Sequence, residues 1–126
     1  MVRPRKLRVI GKKPEVKIFK PVGMPFRMIE NITLTLDEFE AIRLCDYEGL
    51  DHAEAAELMK ISRPTFTRLI DKARNKIATA IVEGKAITVE GGNVAFEERQ
   101  RCKDCNKEIP ATKKHNCKNK GGNNGK

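Results

Sequence analysis

"DHAEAAELMKISRPTFTRLIDKARNKIATAIVEG", residues 51–84, is the stretch whose reading decides the fold. Its first ten residues predict a short helix with Asp51 as cap and Ala56 and Met59 one turn apart. A longer helix follows from Arg63 to about Val82. Its apolar positions, Phe66, Leu69, Ile70, Ala73, Ile77, Ala80 and Ile81, keep a three-four spacing over five turns. Gly84 is a natural stop. Two helices joined by a three- or four-residue turn, the second long and basic, form the usual DNA-reading unit. Such a unit needs a small side chain where the helices cross, and Ala56 supplies it with Ala55 beside it. Met59 and Ile61 can seal the corner, and Phe66, Leu69 and Ile70 can anchor the second helix. The turn often uses Gly for a left-handed residue. Lys60 stands there instead, at a cost of about 1 kcal/mol.

Within "KISRPTFTRLIDKARNK", residues 60–76, the structural positions separate from the rest. Ser62 is the expected N-cap and also a candidate phosphate contact. Pro64 lies in the first turn, where its missing N–H costs nothing. Removing the core positions leaves Arg63, Thr65, Thr67 and Arg68 in the two turns that enter the major groove in such units. An Arg can pair two donors with guanine, and a Thr methyl can touch the thymine methyl, so these four are the candidate base-reading residues. Lys72, Arg74 and Lys76 lie further along and suit phosphate contacts, which position without specifying. The competing reading is a solvated face of a small helical domain.

Charge supports the first reading. The chain has 126 residues and a net charge of +9. Residues 1–28 carry +8, residues 29–61 carry −7, residues 62–85 carry +4 and residues 86–126 carry +4. An acidic segment between basic ones suits a protein that turns one face to a polyanion and the other to water. Arg3, Arg5 and Lys6 in the basic arm are further candidate phosphate contacts.

Before the paired helices, "TLDEFEAIRLCDYEG", residues 35–49, predicts another helix. Leu36, Phe39, Ile42 and Cys45 recur along one face, and Asp37 and Glu38 suit the positive end of the helix dipole. Cys45 reads as a buried, inert thiol. His52 reads as exposed on the first turn of the next helix. Asp37, Glu38 and Glu40 fit dipole and solvation needs better than catalysis. No Ser-His-Asp set and no phosphate-cradling Gly loop is present, so an enzyme is not expected.

The flanks read less sharply. In residues 1–28, "KLRVI" and "EVKIF" fit two short strands with a turn or an extended basic arm that orders on a partner. "KAITVEGGNVAFEE" fits a small hairpin over residues 86–96, with Gly91 and Gly92 at its turn, or an irregular loop. Residues 97–118 hold Cys102, Cys105, His115 and Cys117, a spacing that could complete a Cys3His zinc knuckle. The alternatives are a floppy tail with exposed thiols or a redox switch of Cys102 and Cys105. Residues 119–126 read as disordered.

The expected fold class is mainly α: a three-helix helix-turn-helix core over residues 35–84, short β elements at its N- and C-terminal edges, and a small zinc-binding tail. No apolar run suits a membrane span, and four Cys without an export signal point to the cytoplasm.

The run from "LTLDEFEAIRL" through "SRPTF" to "EGKAI", with "RPRKLR", "FKPVGMP" and "EGG", resembles a small prokaryotic family, domain of unknown function 134. Its members are described as predicted DNA-binding proteins. The helical unit is also similar to region 4 of bacterial sigma factors, which reads promoter DNA. The resemblance implies that residues 62–72 form a recognition helix. The expected function is a sequence-specific double-stranded DNA-binding protein and transcriptional regulator. A homodimer and a contact with RNA polymerase are the expected protein partners. The alternative is a protein-interaction or RNA-binding module using the acidic helices and the Cys-rich tail.

Overall fold

Thr35, Asp51 and Ser62 each stop the chain in extended backbone and cap the helix that follows. The structure, a computed structural model, describes residues 7–103 and 107–110. Helix α1 spans Leu36–Ile42, α2 His52–Met59 and α3 Arg63–Glu83. Thr35 and Glu38 form a reciprocal capping box at α1, as do Asp51 and Glu54 at α2. Ser62 accepts from the Thr65 N–H, and Gly84 closes α3 in the left-handed region.

The helix expected over residues 35–49 changes pitch halfway. After Ile42 the backbone widens into a π-helical turn, Arg43–Tyr47, before Gly49 reverses it at φ +81°. Insertions of this kind are a known device for re-aiming side chains within a helix. Here Arg43 turns inward onto Glu40.

Lys60 holds φ 59° and ψ 43°, the left-handed conformation expected of the turn between α2 and α3. It is the one positive-φ residue other than Gly among the described residues. Its ammonium lies 3.3 Å from Glu97, but Lys60 is exposed and Glu97 only half-buried, so the pair contributes little. Lys60→Gly is therefore expected to stabilise the chain by about 0.5–1 kcal/mol, the relieved backbone strain exceeding the added freedom of the unfolded chain. A urea midpoint below that of the wild type would contradict this.

The expectation of a mainly α fold with a zinc-binding tail is corrected by the strands. Seven of them, in three sheets, share the described residues with the three helices. They are β1 Arg8–Ile10, β2 Ile18–Phe19, β3 Asn31–Leu34, β4 Ala86–Val89, β5 Val94–Phe96, β6 Arg99–Arg101 and β7 Glu108–Pro110. The expected hairpin over residues 86–96 does not form. Strand β4 lies between β2 and β3, whereas β5 pairs in parallel with β1. Nor do β1 and β2 pair with each other. Each strand has two to four residues, too few for alternation to register, and its partner is mostly distant in sequence. The described residues of the tail include a β6–β7 pair, where the sequence suggested no strand.

Two apolar clusters result. Ala41, Leu44, Ala55, Ala56, Met59, Phe66 and Ile70 pack where α1, α2 and α3 meet. Leu34, Ala73 and Val89 join α3 to the β3–β4 pair. Helix α3 is thus held along its length, its first half by helices and its second by a sheet. No described helix is long and apolar enough to cross a membrane.

Candidate nucleic-acid interface

The first turns of α3 form one side of an open cleft of about 1010 Å³. Ser62, Thr65, Arg68 and Lys72 line this side. Opposite lie Arg8, the start of α1 at Thr35, Asp37 and Glu38, and the turn at Gly92 and Asn93. Thr65, Arg68 and Lys72 share this side because three- and seven-residue steps return to one face of a helix.

The sequence-derived candidates separate by what they touch. Arg63, Arg68 and Lys72 are exposed and carry no ion pair among the described residues. The Ser62 hydroxyl donates to Thr65 Oγ1 at 2.8 Å, so both hydroxyls lie at the mouth of the helix. Thr67 does not face outward. Its Oγ1 lies 2.9 Å from His52 Nδ1, on the flank that meets α2. The His52 ring stacks edge-on against buried Phe66, with centroids 5.3 Å apart. His52 is thus an interhelical contact, not the exposed residue expected.

Two of the candidate phosphate contacts are already neutralised. Arg74 clasps Asp46 through two bonds of 3.1 and 2.8 Å and also donates to Cys45 Sγ. The hydrogen bond with Asp46 raises the Arg74 pKa and lowers that of Asp46. Lys76 donates to Glu38 at 2.7 Å and to the Thr33 carbonyl at 2.8 Å. Both cations tie α3 to the preceding segment, because their positions flank the buried stripe rather than oppose it. Cys45 is half-buried, and burial pushes its thiol upward.

Arg3, Arg5 and Lys6 lie outside the described residues, as do Cys105, His115 and Cys117. Of the four candidate metal ligands only Cys102 is described, and its N–H donates to the Lys107 carbonyl at 2.9 Å. Among the described residues no cluster of three His, Cys, Asp or Glu could hold a metal.

Sequence reasoning missed a buried charge network beneath the cleft's neighbours. Glu40, fully buried, takes two bonds from Arg43 at 2.8 and 3.0 Å and another from Arg99. Arg43 and Arg99 both reach Glu108 on β7. The Gly11 N–H donates to Glu40, and Arg99 also donates to the Val9 and Leu58 carbonyls. One cluster therefore joins α1, α2, β1, β6 and β7. The available signal was the three-residue spacing of Glu40 and Arg43. Nothing local marked Arg99 or Glu108 as buried. Asp37 and Glu38 are buried as well, where the sequence suggested solvated acids.

Residues 1–97 match the model of a family described as "Protein of unknown function DUF134". A UPF0251 protein of Chloroherpeton thalassium is 49% identical over 128 residues, covering 98% of this chain and 85% of its own length. One from Thermoanaerobacter sp. is 55% identical over 102 residues, 80% of this chain and 90% of its own. One from Caldanaerobacter subterraneus is 58% identical over 93 residues, 74% and 79% of the two chains. No solved structure matches the chain. With three quarters of its length under the family model, the chain belongs to the DUF134 family.

Proposed function

We propose that the chain binds double-stranded DNA sequence-specifically, with α2 and α3 as a helix-turn-helix and the first turns of α3 in the major groove. The observation that carries this is selective neutralisation along α3. Arg74 and Lys76 are consumed by Asp46 and Glu38, while Arg63, Arg68 and Lys72 at the leading end are exposed and unpaired among the described residues. A face serving only solubility has no reason for this division. A groove about 12 Å wide admits one helix, and cations at its leading end meet bases and phosphates first. On this reading the chain is a cytoplasmic transcriptional regulator, and two copies would read a palindromic site.

A selection from random duplex DNA tests the proposal. Arg68→Ala is expected to relax preference at one base position by about 1–3 kcal/mol. Lys72→Ala is expected to weaken all sequences alike and to lower the salt slope by about 1. The two variants acting identically, or wild type selecting no sequence, would refute it.

A protein-interaction module is the second reading, favoured by large exposed apolar side chains. Val22 is 99% exposed, Val82 82% and Tyr47 81%. Stoichiometric recovery of one protein, with no sequence preference on DNA, would support it over the first.

A further inference from the structure

The cleft beside α3 has a second wall that no sequence motif marked. Gly91 accepts a bond from the Leu36 N–H at 2.9 Å, and Gly92 holds φ +98°. A Cβ on Gly92 would stand 3.0 Å from an Asp37 oxygen and 3.3 Å from Thr35 Cβ. The turn is therefore pressed against the start of α1. The Asn93 carbonyl then accepts from the Arg8 N–H at 3.1 Å, which fixes Arg8 beside it. Arg8 spends one guanidinium nitrogen on Asp37 at 2.7 Å. Its remaining N–H groups, and the Asn93 side-chain amide, have no partner among the described residues.

The cleft is too small for a duplex but suited to one strand. A helix with side chains is about 10–12 Å across and fills a major groove about 12 Å wide. The strands bounding that groove must then run along the helix flanks. Thr65 and Lys72 form one such flank, and Arg8 and Asn93 stand across from it. The two acids in the cleft are already matched, Asp37 by Arg8 and Glu38 by Lys76. Arg68, Lys72 and Lys60 leave the cleft positive. Among the described residues the one ion pair of Lys60 is with half-buried Glu97, and Lys60 itself is exposed.

We infer that one sugar-phosphate strand bordering the major groove lies in this cleft, gripped between Lys72 of α3 and a second wall formed by Arg8 and Asn93. Asn93 donates its amide to a phosphate oxygen, and Arg8 bridges the phosphate to Asp37. This rests on the proposed duplex binding and adds contacts outside the helix-turn-helix. Such contacts fix the register of α3 without reading bases.

The test uses the full chain and a duplex selected by the wild type. Asn93→Asp is expected to weaken binding about tenfold or more, through a lost donor and an added like charge, and Asn93→Ala about threefold. Arg8→Gln is expected to reduce the slope of log K against log salt by about 0.9. Base preference in a repeated selection is expected to stay unchanged for all three, unlike Arg68→Ala. The Asn93 side chain is exposed and makes no hydrogen bond among the described residues, so its variants are expected to keep the wild-type unfolding midpoint. Wild-type affinity in Asn93→Asp would overturn the second wall while leaving duplex binding by α3 intact. Absence of duplex binding by the wild type would overturn both.

Discussion

Glu40→Ala is expected to lower the free energy of unfolding by about 3–5 kcal/mol, the cost of removing one partner from a buried ion pair. Glu40 is fully buried and the Arg99 side chain is only 1% exposed. Without Glu40, Arg43 and Arg99 would share Glu108, Arg43 keeping besides it only a long 3.5 Å pair with Glu48, and the Gly11 N–H would lose its acceptor. The Arg99 Nε already lacks a partner among the described residues, so these offer the site no spare acceptor. A loss of this size is a large fraction of the 5–15 kcal/mol by which domains are usually stable. Urea unfolding followed by circular dichroism is the measurement, since the chain has no Trp. Asp46→Ala is the control. It removes an exposed pair with Arg74 and should cost less than about 1 kcal/mol. Equal losses in the two variants would show that the network is not the buried keystone its geometry indicates.

Acid is expected to destabilise the chain through Glu108. Burial opposes ionisation of this carboxyl, but hydrogen bonds from Arg43 and Arg99 together outweigh it and hold the pKa at about 2, against 4.5 ordinarily. Burial likewise disfavours the Arg43 charge, yet its bonds to Glu108 and Glu40 raise its pKa overall. Because the folded-state pKa of Glu108 is depressed, its contribution is full above about 4.5 and falls away as pH drops toward 2. The loss is on the order of 3 kcal/mol. Glu48, bound by Arg101, shifts in the same direction. Urea midpoints between pH 6 and pH 2 should fall more steeply in the wild type than in Glu108→Gln, which cannot ionise. Parallel profiles would rule out this assignment. The same residues explain a steric requirement. A Cβ on Gly11 would stand 2.6 Å from Arg99 Nη1 and 2.8 Å from Glu108 Oε1, so the backbone must pass close to the cluster.

The local punctuation of the chain was readable directly. Asp51, Ser62 and Gly84 mark helix ends by chemistry that acts within one turn, and each stands where that chemistry places it. Lys60 takes the left-handed turn, although its side chain disfavours it, between Met59 and Phe66, which are buried in one cluster on either side of it. The candidate site was only partly readable. Side-chain chemistry identified Arg63, Arg68 and Lys72 as well as it identified Thr67, Arg74 and Lys76. Which three would be free depended on where α2, Asp46 and Glu38 came to rest.

By itself, then, the sequence determined the three helices, their caps and the apolar stripe of α3, because helix signals recur every three or four residues. Only the tertiary structure decided the three sheets, the second wall at Arg8 and Asn93, and the burial of Glu40, Arg43, Arg99 and Glu108. Strand pairing and charge burial depend on partners as many as 90 residues away, as between Arg99 and the Val9 carbonyl, and no local pattern encodes that distance.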